Sequence, residues 1–290
     1  MKHLFKRDWE RAPHIRYPTN ISDYFFSLRK RPFLDKETPI GSIGSCFSAY
    51  ISKYLIKAGY NYIITEEPKY DTFSAQWGIV VSPACIAQIF RYSLTHKFAP
   101  LEEFWEVDGK QIDPYRSGFF YDKKEFLVHK ANSKKALTKP KVFIITLGLT
   151  EVWRDKRDGS TFAVAPPKME PYHELYVLNE HDVFSYLYEI WNLLSFYNPE
   201  CKLILSVSPI PLTATFRKDV DVVTANGNSK ATLRSAVGEF CKSYPQVEYF
   251  PSWEFVTFGM PNFLADNRHP APEVVDTMMR FFLNLYSKDA

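Results

Sequence analysis

Cysteine is scarce and scattered: Cys46, Cys85, Cys201 and Cys241 lie far apart and form no CxxC pair. A zinc site or a disulfide framework needs clustered ligands, and the seven histidines do not supply them. No metal and no cofactor is therefore expected. Long hydrophobic runs are missing too. No window approaches the ~18 uninterrupted apolar residues of a membrane-spanning helix, so no membrane span is expected. Charge of one sign is likewise in short supply, with 36 Lys and Arg against 33 Asp and Glu and a net charge of +3. The lysines crowd only at Lys134, Lys135, Lys139 and Lys141. A nucleic-acid partner would call for a denser basic stripe, so these read as a solvated face. The opening MKHLFKRDWERAPHIRY has charges but no apolar h-region and does not read as a secretion signal, so a cytoplasmic location is the expectation.

Aromatics, by contrast, are abundant: 24 Phe, 18 Tyr and 6 Trp. Most of that surplus must fill a core, though aromatic faces also suit sugars and flat ligands. Residues 1–37 are polar, aromatic and broken by prolines, and read as an arm packed on the domain formed by 38–290. Pro39–Ile43 predicts a short buried strand running through Gly44-Ser45-Cys46 into a helix, with Phe47, Ile51, Tyr54 and Leu55 on one face. Tyr60–Thr65 reads as a second strand, and 82–94 as a helix with Ser82 at its N-cap and Pro83 in its first turn. The 100–140 stretch reads as an insertion of short β-like pieces around Asp108-Gly109. VFIITL is an unbroken run of apolar or β-branched residues and LILSVS is apolar but for its serines, which predicts parallel strands covered on both faces. Helices are expected over 182–197, within 224–243 and over 270–287, with a short strand at 247–250. Strands alternating with helices predict an α/β domain with a mostly parallel central sheet in three layers. The strands ending at Ile43, Leu147 and Val207 should lie side by side, with a ligand at their carboxyl ends.

Three polar segments are expected after strands: Gly44-Ser45-Cys46-Phe47, Gly148-Leu149-Thr150-Glu151 and Asp266-Asn267-Arg268-His269. A glycine turn that launches a helix lifts a hydroxyl or thiol to the sheet edge and aims helix N–H groups at an adjacent anion. Acyl transfer needs both features. Ser45 and Cys46 are each competent nucleophiles. In Asp266-x-x-His269 the carboxylate can orient the ring while the other ring nitrogen faces the nucleophile. The bland readings are a tight turn with a buried thiol and an aspartate capping the last helix.

The ordered set GSCF, TLGLTEVW (146–153), SVSPIPLTATF (206–216), Asn226–Lys230, YFPSWEFV (249–256) and ADNRHP (265–270) resembles the GSCFA family, which is related to the SGNH or GDSL-like hydrolases. The resemblance covers roughly 38–285, with Ser48 where the family name has Ala. It implies that Cys46 stands at the SGNH nucleophile and Ser45 at the preceding Asp. Ser45 becomes the nucleophile if the turn shifts by one residue. It further implies Asp266 and His269 as the acid–base pair and Gly78 as an oxyanion donor. Thr150 takes the place of the oxyanion-binding Asn, and Glu151 either binds substrate hydroxyls or pairs with Arg154. The implied activity is an acyl-ester hydrolase or O-acyltransferase, acting on a small acyl group such as acetyl carried by a carbohydrate. The rival reading is a non-catalytic glycan-binding protein that keeps the SGNH shape, because the third block lacks its Asn. Gly41-x-x-Gly44 lacks the GxGxxG pattern, which argues against a nucleotide site.

Overall fold

The computed structural model describes residues 17–67, 72–95, 100–101, 104–116 and 123–289. The first 16 residues of the expected arm, and parts of the 100–140 stretch, lie outside the described residues.

Four parallel strands form the central sheet. They are β1 (Ile40–Gly44), β4 (Val142–Leu147), β8 (Lys202–Val207) and β9 (Glu248–Tyr249), in the order β1-β4-β8-β9. Gly44 pairs with Thr146, and Leu147 with Val207, so the carboxyl ends of β1, β4 and β8 are level and adjacent as the apolar runs predict. Alternate residues of each strand feed two separate cores. Phe143, Ile145, Leu147, Leu203 and Leu205 face a cluster built with α3 (Pro83–Leu94), α5 (Glu180–Tyr197) and α6 (Val222–Ser243). Val142, Ile144 and Ile204 face the opposite cluster, which holds α2 (Cys46–Lys57) and the last helix, α7 (Pro272–Tyr286). Burial on both faces is why these strands are apolar without alternation. Phe47, Ile51 and Leu55 seat α2, and Val274, Met278, Phe281 and Phe282 seat α7. The short α1 (Ile21–Phe26), capped by Asn20, packs Phe25 against Phe255 and Phe281 at ring distances of 5.1 and 5.3 Å.

Two small antiparallel units flank this body. The hairpin β2 (Trp105–Val107) and β3 (Lys110–Ile112) turns through Asp108 and Gly109, with φ of 51° and 71°. Positive φ at both turn positions is the backbone that a two-residue hairpin loop requires. The second unit has β5 (Glu151–Asp155) between β6 (Thr161–Phe162) and β7 (His173–Val177).

Three expectations need correction. The 100–140 stretch is not only β-like: Lys123–Thr138 forms a helix, α4, whose buried positions include His129, Ser133, Ala136 and Leu137. That spacing is helical, yet half of the residues are polar, so an apolar period does not reveal it. Tyr60–Thr65 forms no strand and makes only an isolated bridge between Tyr62 and Ile40, with the Tyr62 hydroxyl 2.6 Å from that of Ser42. The Asp266–His269 segment follows no strand either. It comes after a short helical turn (Ser252–Glu254) and a π-helical stretch (Phe255–Gly259). Lys134, Lys135, Lys139 and Lys141 are exposed. Among the described residues, no helix is long and apolar enough to cross a membrane, and no group of His, Cys, Asp or Glu could hold a metal ion.

Candidate active site

β1 ends at a position only glycine can occupy. Gly44 has φ of +140°, and a Cβ there would lie 2.3 Å from the Thr146 carbonyl oxygen. The close approach lets Ser45 N donate to Thr146 O at 3.0 Å, which welds the turn to the neighbouring strand. Ser45 then caps α2: its Oγ accepts from Phe47 N at 3.2 Å and lies 2.9 Å from Thr146 Oγ1. The hydroxyl is thus committed to the cap, and the residue is 2% exposed. Cys46, the first residue of α2, is partly exposed. Its Sγ lies 4.0 Å from His269 Nε2, across 223 residues of chain.

Asp266 builds the other half. Its Oδ1 accepts from the backbone N–H of both Arg268 and His269 at 3.0 Å, and its Oδ2 lies 2.5 Å from His269 Nδ1. The imidazole and the two N–H groups together hold its carboxyl well below the usual carboxylate range. With the proton on Nδ1 facing the carboxylate, Nε2 presents its lone pair towards the thiol. Asn267 takes φ of +53° to tighten this turn, a conformation asparagine tolerates. The Arg268 guanidinium donates to the Pro211 carbonyl at 3.1 and 3.3 Å and ties the turn to the loop after β8.

The remaining expected residues divide. Gly78 has φ of +69° and precedes a stretch pinned between the sheet ends, where Val80 N donates to Gly44 O and Val81 O accepts from Gly148 N. Thr150 is fully buried, and its Oγ1 is 2.9 Å from Ser229 Oγ on α6. This contact joins the start of β5 to α6. Glu151 does not pair with Arg154, whose Nε donates to Glu174 at 2.5 Å. Instead its carboxylate accepts from Thr215 Oγ1 at 2.7 Å and Phe216 N at 3.1 Å. It lines a cavity of about 130 Å³ with Leu149, Trp153 and Phe216.

Sequence reasoning passed over Lys230 as an individual residue. It is 1% exposed on α6, and its Nζ donates to the carbonyls of Gly148 at 2.8 Å and Ile210 at 2.9 Å. Burial pulls its pKa down to about 7. The signal was available: Lys230, Leu233, Val237 and Phe240 follow helical spacing, so the lysine occupies a core position of an apolar stripe.

Solved structures with similar shapes include a family 3 carbohydrate esterase from Clostridium thermocellum, 9% identical, with 86% of this chain and 95% of that chain covered and a TM-score of 0.40. A family 3 carbohydrate esterase from Talaromyces cellulolyticus is 10% identical over 84% of this chain and 94% of that one, with a TM-score of 0.38. The acetyl xylan esterase Est2A from the rumen bacterium Butyrivibrio proteoclasticus is 11% identical over 88% and 64%, at 0.39. At such identities and TM-scores the chemistry has to be judged from this chain's own residues. No curated protein matches the chain. The GSCFA family model matches residues 39–282, and with the Gly44–Phe47 turn at its start and the Asp266–His269 turn near its end, this chain belongs to the GSCFA family.

Proposed function

We propose that this chain is a thiol-dependent acyl-ester hydrolase or O-acyltransferase that acts on a small acyl group, acetyl foremost, carried by a carbohydrate. The observation that supports this most is the series Cys46 Sγ, His269 Nε2, His269 Nδ1, Asp266 Oδ2, with steps of 4.0 and 2.5 Å. In the reaction His269 Nε2 takes the Cys46 proton as sulfur bonds to the acyl carbon. The oxyanion that forms sits at the N-terminus of α2, where helix N–H groups and the dipole favour negative charge. Gly78 is proposed as a further N–H donor. Collapse breaks the acyl–oxygen bond, and the leaving sugar alkoxide receives the proton from His269. Water or an acceptor hydroxyl then attacks the thioester and gives its proton to His269; collapse breaks the acyl–sulfur bond and releases the acid or the new ester, and the thiol is restored when that proton returns to sulfur. Asp266 orients the ring and stabilises its protonated form. Ser45 can replace Cys46 only by abandoning its cap, so Cys46 is the preferred nucleophile.

The carbohydrate half of the proposal is supported by the Glu151 cavity. Phe216, 55% exposed, stands edge-on to Trp153 with ring centroids 5.3 Å apart beside a carboxylate able to accept from sugar hydroxyls.

The test is mass spectrometry after brief exposure to a chromogenic acetyl ester. An acetyl group on Cys46, absent in Cys46→Ala, is expected. An adduct on Ser45, with Cys46→Ala still active, would move the nucleophile. No adduct on either residue with several activated esters would favour a glycan-binding role.

A further inference from the structure

A cluster of titratable side chains is buried away from Cys46 and His269, and the mechanism uses none of it. Asp113, Arg116 and His129 are buried within the 100–140 stretch, and Glu66 stands against them. Arg116 Nε donates to Asp113 Oδ2 at 3.2 Å, and Glu66 Oε2 lies 2.8 Å from His129 Nδ1 on α4. Burying such groups is expensive, and apolar packing of similar volume often serves stability as well or better. Stability alone therefore gives no reason for them.

Their contacts converge on one residue. Glu66 Oε2 accepts from Gln76 N at 2.7 Å, and Arg116 Nη1 donates to the Gln76 carbonyl at 3.1 Å. The two backbone atoms belong to successive peptide planes, each rigid, so charged side chains hold both planes. The next residue is anchored too. Trp77 is fully buried, its Nε1 donates to Ser133 Oγ on α4 at 2.6 Å, and its ring meets Phe143 of β4 edge-on at 6.5 Å. The peptide plane that follows carries the Gly78 N–H. Gly78 is partly exposed, and among the described residues nothing accepts from that N–H. Beyond it the chain is fixed again, where Val80 N donates at 2.9 Å to the carbonyl of Gly44, two residues before Cys46. The Gly78 donor is thus bracketed by the charged cluster on one side and by the nucleophile turn on the other.

We infer that Glu66 and Arg116 are positioning residues of this site: their side chains clamp the Gln76 backbone so that the Gly78 N–H stands ready for the oxyanion. The proposal rests on reading Cys46 as the nucleophile and Gly78 as an oxyanion donor. It gives the 100–140 stretch a part in the chemistry, because Asp113, which braces the Arg116 fork, and His129, which braces Glu66, both come from it. An oxyanion donor works only if it is in place before the charge develops. A misplacement of about 1 Å can cost on the order of 10²-fold in rate, so a donor on a loop needs the rigid support that these buried bonds supply.

The test compares two reactions of the same sulfur, each followed at Cys46 by mass spectrometry. Acetylation by a chromogenic acetyl ester passes through an oxyanion. Alkylation by iodoacetamide forms the carbon–sulfur bond as iodide leaves, and creates none. Glu66→Ala should slow acetylation by about 10- to 100-fold and leave the alkylation rate unchanged. Glu66→Gln, whose side-chain carbonyl can still accept from Gln76 N, should recover most of the acetylation rate. Equal acetylation of Glu66→Ala and wild type would overturn the proposal. So would a matching fall in both reactions, which is what a general loosening of the fold produces, and so would Gln performing no better than Ala. If Glu66→Ala does not fold, Arg116→Lys takes its place. Lysine keeps a cation beside Asp113 but lacks the planar fork that reaches Asp113 and Gln76 together. Acetylation should again fall while alkylation holds, and an unchanged acetylation rate would overturn the idea. Failure of the underlying reading looks different: there, no activated ester acetylates Cys46 of the wild-type chain, and the proposal falls with it.

Discussion

Asp266 performs two tasks with two oxygens. Oδ1 shapes the turn by accepting from the backbone of residues 268 and 269, and Oδ2 faces the imidazole. An asparagine side chain can keep the first task, because its own carbonyl oxygen accepts the same N–H groups. It cannot stabilise a protonated ring, and its NH₂ favours the wrong tautomer of His269. Asp266→Asn should therefore lower the acyl-transfer rate by several orders of magnitude, since the equivalent change in the serine-protease triad costs ~10⁴. The melting temperature should shift by no more than about 4 °C. Steady-state rates and a melting curve on the same preparation check both halves. Early melting with intact activity would reduce Asp266 to a turn former. In the proposed mechanism a single residue also sets the choice of nucleophile. Because Ser45 Oγ holds Phe47 N and lies against Thr146, the hydroxyl that sequence left as a rival faces inward while the neighbouring thiol faces the imidazole.

At the scale of elements, α6 carries a pH dependence that can be signed. The Lys230 amine in the fold has its pKa near 7, below its ordinary 10.5. Between those values the unfolded chain binds more protons than the folded one, so stability should rise with pH through that window. Chemical denaturation at pH 7 and pH 9.5 should show wild type gaining stability relative to Lys230→Met, which lacks the group. Equal pH slopes would mean that the amine is not desolvated as described. What was legible in the sequence follows from the same physics. β4 and β8 announce themselves because burial on both faces demands unbroken apolar runs, and the Asp108-Gly109 turn because its backbone needs positive φ. α4 stayed hidden because its buried stripe includes His129 and Ser133, polar residues satisfied inside the fold. Tyr60–Thr65 looks like a strand by composition, yet the Tyr62 hydroxyl is spent on Ser42 and the segment gains only one bridge. In the site, Gly44–Cys46 and Asp266–His269 could be read from local motifs. Lys230 could not be read that way, since its meaning depends on two carbonyls that are 82 and 20 residues away in sequence.

At the scale of the molecule, the sheet separates two cores that share strands but few side chains. Leu187 on α5 belongs to one and Phe281 on α7 to the other, and each is at most 1% exposed. Leu187→Ala should cost about 2–5 kcal/mol and Phe281→Ala about 3–5. Measured by urea unfolding, the double variant should equal the sum within about 0.5 kcal/mol, because neither cavity shares neighbours with the other. A coupling well above that would show that the sheet passes strain from face to face. The same architecture has a consequence for biosynthesis. The thiol and the imidazole are separated by 223 residues, and the imidazole sits on the turn that leads into α7. While the ribosome is still making the stretch between them, the emerging chain carries Cys46 without the imidazole. On the proposed mechanism, activation of the thiol is then deferred until synthesis has passed residue 269 and that turn has docked.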